Sequence, residues 1–121
     1  MKTPKRKPFS KKIRQQILEK FGGYCAYCGC LLSLETMQID HLFPVKKGGT
    51  DEPRNLMPAC RSCNHYKESF TLEQFRDRIG KTTTAFRKSP LYRLAMRYGI
   101  IMPCGTWDKQ FHFEKTSHEN T

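Results

Sequence analysis

The chain has 121 residues, a length suited to one small domain, and only 37% of them are hydrophobic. That share is lean for a self-sufficient core, so a bound metal would help to hold the fold together. The formal charge is +11, from 22 Lys and Arg against 11 Asp and Glu. This balance favours a polyanionic partner, nucleic acid above all, although a solvated basic surface or a ribosome-associated protein would carry the same charge.

The lack of long apolar segments argues against two further classes, membrane proteins and secreted proteins. No stretch approaches the roughly 20 apolar residues that a membrane helix needs, so we expect no membrane association. Residues 1–12 are basic but lack the apolar run of a signal peptide. We therefore expect a cytoplasmic protein, in which paired cysteines bind metal more often than they form disulfides.

In chain order, residues 1–9 are predicted to form a loose basic arm, because prolines alternate with Lys and Arg there. Ser10 can cap a first helix, in which apolar residues recur at helical spacing until Gly22 and Gly23 end it. Residues 37–42 alternate between apolar and polar and predict a strand that ends near Asp40-His41.

A turn-rich loop follows this strand, and a second short strand is predicted around residues 55–57. A helix should then start at Cys60 or Arg61 and run to about Phe70. The central part of the chain is thus predicted to be a β-hairpin followed by a helix.

The C-terminal part is predicted to contain two more helices and a strand. Thr71 with Gln74 forms a capping box that starts a helix, which Gly80 should end. Ser89-Pro90 starts the next helix, and the even spacing of aromatic residues over 107–113 suggests a strand. We divide the chain into the arm (1–9), a central domain (10–80) and an appendage of unknown role (81–121).

Two Cys-x-x-Cys pairs are the strongest chemical signal in the sequence. Four thiolates with this spacing can close a tetrahedron about Zn²⁺, with the two residues inside each pair forming a tight turn. The alternative is a set of buried, unliganded cysteines, which rarely arrives as two such pairs by chance. We predict a structural zinc site made by Cys25, Cys28, Cys60 and Cys63, with Cys30 and Cys104 as spare thiols.

A set of polar residues lies between and just after these pairs, in the order Asp40-His41, Asn55, Asn64 and Lys67. Together with the cysteines, over about residues 20–68, this pattern resembles the zinc-bound branch of the HNH endonuclease family. The resemblance implies an α+β fold with a small ββα-metal (His-Me finger) core, stapled by the four-cysteine zinc site and flanked by helices. Asn64 replaces the second histidine of the family name, which makes an HNN variant, and the neighbouring His65 is its rival for that role.

The resemblance and the chemistry of the groups together suggest a role for each residue. A neutral imidazole suits proton abstraction from water, so His41 is the candidate general base. Asp40 and Asn64 offer the oxygen ligands that Mg²⁺ or Mn²⁺ prefers. Family resemblance gives Asn55 a scaffolding role that orients His41, against the alternative of plain turn chemistry. Lys67 shares a helical face with Asn64 and is predicted to contact phosphate.

The resulting hypothesis is a metal-dependent endonuclease that hydrolyses DNA phosphodiester bonds, leaving a 5′-phosphate and a 3′-hydroxyl as the resemblance implies. The alternative is a non-catalytic, zinc-stapled module that binds nucleic acid through its basic surface. The small size favours weak sequence preference, unless a protein partner or a homodimer supplies the targeting.

Overall fold

A computed structural model of the chain describes residues 8–102 and 107–116, and it contains one two-stranded sheet surrounded by helices. None of the helices in these ranges has the length and apolar character that a bilayer span requires. The elements, in order, are α1 Lys11–Glu19, β1 Gln38–His41, β2 Leu56–Ala59, α2 Arg61–Lys67, α3 Leu72–Arg87, α4 Pro90–Arg97 and α5 His112–Thr116.

Helix α1 begins where the sequence predicts it. The Ser10 hydroxyl accepts a hydrogen bond from the backbone N–H of Ile13 at 3.2 Å and so caps the first turn. Ile17 and Leu18 are the buried residues of this helix. Just beyond its end, the Lys20 ammonium donates to the carbonyl oxygens of Pro53 and Leu56, which ties α1 to the start of β2.

The predicted hairpin followed by a helix is present. Strands β1 and β2 pair antiparallel, with Asp40 opposite Met57 and His41 opposite Leu56. All four residues of β2 are buried, whereas β1 buries only Asp40. The second strand starts and ends later than the predicted 55–57, because residues 53–55 form a 3₁₀ turn before it. Helix α2 then starts directly after Cys60, and the α+β class predicted from the sequence is confirmed.

Helix α3 extends beyond its predicted end at Gly80 and continues to Arg87. The predicted capping box is present, since the Thr71 hydroxyl accepts from the N–H of Gln74 while the Gln74 side chain accepts from the N–H of Thr71. A helix-interior glycine costs only about 1 kcal/mol relative to alanine, and the chain meets no proline before Pro90. The boundary drawn at residue 80 therefore falls inside a continuous helix. Helix α4 starts at Pro90, as predicted.

The predicted strand over residues 107–113 is wrong, because the described chain there turns into the short helix α5. The N–H groups of His112 and Phe113 donate to the carbonyls of Tyr27 and Ala26, at 3.0 and 2.8 Å, so they pair with the first cysteine turn and not with a strand. Phe111 is buried and stacks on Phe75, with ring centroids 5.3 Å apart. Phe111 thus belongs to the same hydrophobic core as Tyr27 and Phe75.

An ion pair holds this segment to α3. The two terminal guanidinium nitrogens of Arg76 donate to the two carboxylate oxygens of Glu114, at 2.7 and 2.9 Å. The bidentate contact lowers the pKa of Glu114, and bonds to Glu114 and Glu73 raise the pKa of Arg76. Residues 107–116 are consequently fixed both by apolar packing and by paired charges.

Candidate active site and thiol cluster

The four predicted cysteines come together in one cluster. The Sγ atoms of Cys25, Cys28, Cys60 and Cys63 all lie within 4.8 Å of one another, and those of Cys28 and Cys60 are 3.8 Å apart. A tetrahedral ion with metal–sulfur bonds of about 2.3 Å, the length found for zinc, requires a sulfur–sulfur edge of about 3.8 Å. The donor set and its spacing therefore fit a closed tetrathiolate site, and these four cysteines are positioned to hold a metal ion.

Backbone groups around the cluster are arranged to stabilise negative sulfur. The N–H of Cys60 donates to the sulfur of Cys25 at 3.3 Å, and the N–H of Cys63 donates to the sulfur of Cys60 at 3.4 Å. The second bond also caps α2, so the metal ligand and the helix start share one atom. Gly29 ends the first turn with φ +82°, and an added Cβ would lie 2.9 Å from Nδ1 of His112.

The charges of the thiols are coupled. A hydrogen bond from the Cys63 thiol lowers the pKa of Cys25, and the same bond together with burial raises the pKa of Cys63. Burial also raises the pKa of Cys28. Because several thiolates repel one another at this distance, all four can be deprotonated together only when a cation neutralises them.

Cys30 lies beside this cluster but does not belong to the four-thiol set. Its carbonyl accepts from the N–H of Cys25 at 2.8 Å, so its backbone helps to form the turn. The side chain is largely exposed, and its partial burial, followed by interaction with the Cys28 thiol, raises the pKa of Cys30. Cys104, the other predicted spare thiol, lies outside the described residues.

Asp40 is the centre of a second, buried polar cluster. Its side chain is only 6% exposed, and its Oδ2 atom accepts from the Tyr27 hydroxyl at 2.5 Å and lies 3.0 Å from the Lys67 ammonium. Burial, and then the charge of Asp40, raises the pKa of Tyr27 well above its ordinary value, so the phenol stays a donor. One carboxylate oxygen thus links the first cysteine turn, β1 and α2.

Lys67 takes a position different from the one expected for a phosphate contact. Its side chain is 0% exposed, and its ammonium is shared between the carboxylate of Asp40 and the carbonyl oxygen of His41, which is 2.9 Å away. An amine enclosed in this way does not reach a ligand at the surface. The predicted phosphate contact is therefore wrong. The face of α2 that Asn64 and Lys67 share is turned toward β1, and β1 supplies the Asp40 carboxylate that binds the ammonium.

His41 lies at the end of β1 and contacts a residue that sequence reasoning missed. Its Nε2 atom is 2.7 Å from a carboxylate oxygen of Asp51, in the loop between the strands. The ring of Phe9, from the predicted arm, lies 6.1 Å from the imidazole between centroids. His41 thus stands between an aromatic side chain and a carboxylate, with 17% of its side chain exposed.

Asn55 closes the loop that carries this carboxylate. Its amide nitrogen donates to the carbonyls of Phe43 and Thr50, at 3.0 and 2.8 Å, and its oxygen accepts from the N–H of Phe43 at 2.8 Å. Three hydrogen bonds from this one buried side chain hold the two ends of the loop together. Gly49 is needed in this loop, since an added Cβ would lie 1.8 Å from the carbonyl oxygen of Phe43.

Asn64 and His65 occupy different environments on α2. The amide nitrogen of Asn64 donates to the side-chain oxygen of Gln38 at 2.5 Å, so its carboxamide lies against β1. The side-chain oxygen, the atom that a hard cation would bind, is not the atom in this contact. His65 is exposed, and its ring contacts Tyr66. Gln38 and Asp40 share one face of β1, and this face is the one that Asn64 and Lys67 approach.

Comparison with known proteins agrees with this geometry. Residues 25–70 match the family model described as HNH endonuclease. The CRISPR-associated endonuclease Cas9 of Actinomyces naeslundii is 32% identical over 69 residues, which is 56% of this chain and 6% of the relative. The corresponding protein of Corynebacterium diphtheriae is 33% identical over 55 residues, 45% of this chain and 5% of the relative.

The fold comparison gives the same result. The crystal structure of the Type II-C Cas9 enzyme from A. naeslundii superimposes with a TM-score of 0.54 and 29% identity, covering 63% of this chain and 9% of that one. The part of the chain that holds the thiol cluster and the Asp40-His41 pair therefore matches the HNH endonuclease family and is similar to a segment of Cas9. The chain spans only about one twentieth of the length of these curated relatives.

Replacement of one thiol should empty the cluster. Cys60→Ser removes a metal ligand while the serine hydroxyl can still cap α2. We expect loss of the bound metal ion and of the hairpin-helix unit, because metal binding and folding are coupled. Elemental analysis and far-UV circular dichroism measure the two effects. Cys30→Ser is the matched control and should keep the ion. Full metal content in Cys60→Ser would show that the four sulfurs do not form the site.

Removal of the buried ammonium should destabilise the protein strongly. Lys67→Met leaves the Asp40 carboxylate buried without its cation, and breaking a buried pair costs about 3–5 kcal/mol. Urea unfolding of protein that is loaded at the thiol cluster but free of Mg²⁺ and Mn²⁺ measures this cost. The exposed Lys46→Met is the control and should stay within about 0.5 kcal/mol of wild type. The double variant Asp40→Asn, Lys67→Met should recover part of the loss. Wild-type stability of Lys67→Met alone would contradict the pair.

Proposed function

We propose that this chain is a metal-dependent endonuclease that hydrolyses DNA phosphodiester bonds, with His41 as the general base. The observation that carries the proposal is the placement of Asp40 and His41 at the end of β1, beside α2 with Asn64, inside a segment that matches the HNH endonuclease family. The net charge of +11 supports a polyanionic substrate.

The base is set up by its surroundings. His41 is part exposed, so a water molecule and a phosphate can reach the ring, while the ammonium of Lys67 fixes the backbone at this residue. Asn55 holds the loop that faces the imidazole. A neutral ring held in this way can take the proton of the attacking water as the water approaches phosphorus.

Two ions with different chemistry fit the two clusters. We assign Zn²⁺ to the four thiolates as a structural ion, on the basis of the soft donor set and its closed geometry. We assign Mg²⁺ or Mn²⁺ to the oxygens of Asp40 and Asn64, where it would neutralise charge that develops on the phosphate and the leaving oxygen. The Tyr27 and Lys67 contacts both use Oδ2 of Asp40, so the ion would bind the other carboxylate oxygen.

The alternative function is a zinc-stapled module that binds nucleic acid without cleaving it. It explains the basic charge and the thiol cluster, but it gives no role to a histidine held by a carboxylate beside a buried aspartate. A protein that binds DNA and never nicks it with Mg²⁺ or Mn²⁺ would be this module. Targeting by a protein partner or a homodimer, and a cytoplasmic location, stay predictions from the sequence.

Loss of the imidazole should abolish cleavage without loss of the fold. We expect His41→Ala to nick supercoiled plasmid at least about a hundredfold more slowly than wild type, which is the usual range for removal of a general base. Zinc content and DNA affinity should be unchanged. His65→Ala, which removes the exposed imidazole of α2, is the matched control and should cleave at the wild-type rate. Equal rates for wild type and His41→Ala would exclude His41 as the base.

Asn64 and His65 are neighbours on α2, and their metal requirements should distinguish them as ligands. Asn64→Ala should raise the Mg²⁺ concentration needed for half-maximal nicking by at least about tenfold, the lower bound for losing even an indirect metal partner. Asn64→His should shift the preference toward softer ions such as Ni²⁺ or Co²⁺. Titration of metal-depleted protein with each ion measures both. If His65→Ala shows the shift and Asn64→Ala does not, the ligand is His65.

A further inference from the structure

The contact between His41 and Asp51 defines which nitrogen of the imidazole carries the proton. Nε2 of His41 lies 2.7 Å from Oδ1 of Asp51. An ionised carboxylate has only acceptor atoms, so the hydrogen in this bond belongs to the imidazole. In the neutral ring the proton is then on Nε2, and the lone pair is on Nδ1.

The carboxylate is held in place by the loop and not by its own burial. Half of the Asp51 side chain is exposed, but the preceding residue, Thr50, is fixed through its carbonyl by the buried amide of Asn55. Nearby, Gly49 approaches the backbone of Phe43 so closely that a side chain has no room. The loop can therefore present Asp51 to His41 with a defined geometry.

The next acidic residue of this loop faces elsewhere. The carboxylate of Glu52 pairs with Nε of Arg54 at 2.7 Å, on the outside of the 3₁₀ turn. Two adjacent acidic residues in a strongly basic chain thus have different partners, and one of them touches the imidazole. If these acidic residues served only to keep the loop soluble, there would be no reason for Asp51 in particular to contact the imidazole.

We propose that Asp51 is a positioning residue for His41: its carboxylate fixes the Nε2–H tautomer and the ring orientation, and leaves Nδ1 to accept the proton of the attacking water. The inference rests on the proposed nuclease function for its catalytic consequence, but the tautomer itself is independent of activity. Neither the family match nor the motif residues assign a role to Asp51. In the step, the water O–H bond breaks, its proton passes to Nδ1, and the oxygen forms a bond to phosphorus. The bond between phosphorus and the 3′ oxygen breaks, and that oxygen leaves with the electron pair and takes a proton from bulk water.

The first test is spectroscopic. In the metal-loaded protein, long-range ¹H–¹⁵N correlation spectra distinguish the two neutral histidine tautomers, and comparison with His41→Gln assigns the His41 signals. We expect the Nε2–H form in wild type and a mixture of forms in Asp51→Asn, whose amide can both donate and accept. Glu52→Gln removes the same charge from the next residue and should leave the tautomer unchanged. An Nδ1–H ring in wild type would overturn the proposal.

The second test is kinetic. Asp51→Asn should lower kcat for plasmid nicking by about tenfold to a hundredfold, less than the roughly 10⁴ that loss of a buried carboxylate costs a catalytic triad, because Asp51 is half exposed. KM should match that of Glu52→Gln, which controls for the lost negative charge near DNA, and Asp51→Glu should restore part of the rate. An unchanged or higher kcat in Asp51→Asn would mean that the carboxylate is dispensable or blocks the base.

Together the two tests distinguish failure of the proposed nuclease function from failure of the positioning role. If wild type shows the Nε2–H tautomer but cleaves no DNA with Mg²⁺ or Mn²⁺, the proposed function is wrong and the structural pairing stands. If wild type cleaves DNA and Asp51→Asn alters neither the tautomer nor kcat, the positioning role is wrong and the nuclease stands. If Asp51→Asn raises the Mg²⁺ requirement with the tautomer intact, Asp51 is a metal ligand and the positioning role is again excluded.

Discussion

The carboxylate of Asp40, buried between the hydroxyl of Tyr27 and the ammonium of Lys67, is the interaction on which the rest of this small structure depends. Taking two charges out of water costs several kcal/mol each, and good geometry with further hydrogen bonds is needed to offset that cost. The chain meets this condition with groups from three places: the first cysteine turn, the end of β1 and the last turn of α2. None of these elements can move far without leaving a charge or a donor unpaired.

This constraint explains why so few residues suffice to build the site. The ammonium of Lys67 also binds the carbonyl of His41, so the same side chain sets the position of both members of the Asp40-His41 pair. On the other side, Asn55 fixes the loop whose carboxylate meets the imidazole. His41 is therefore located from its backbone by α2 and from its ring by the loop, although β1 itself has only four residues.

Local signals in the sequence predicted the local features well. Cysteine spacing located the thiol cluster, and Ser10 and Thr71 located two helix starts, because caps and Cys-x-x-Cys turns depend on residues a few positions apart. Long-range features were missed for the opposite reason. The burial of Lys67 depends on Asp40, which is distant in the sequence, and aromatic spacing near Phe111 could not show that its neighbours bond to the first cysteine turn. The contact between Asp51 and His41 could not be predicted either, because it depends on how the loop between the strands closes.

Tyr27 lies inside the first Cys-x-x-Cys turn, and its hydroxyl donates to the carboxylate assigned to the reactive ion. In the proposed assignment, the thiol-bound ion and the oxygen-bound ion would be connected through this one side chain, and their occupancies would not be independent. A strong chelator that strips the thiolates would loosen the turn, withdraw the phenol and leave Asp40 with an altered environment. Inhibition by such a reagent therefore does not identify the ion that reacts. To distinguish the two ions, each must be added back separately to the stripped protein. The structural ion should restore the fold, and the reactive ion should then restore cleavage.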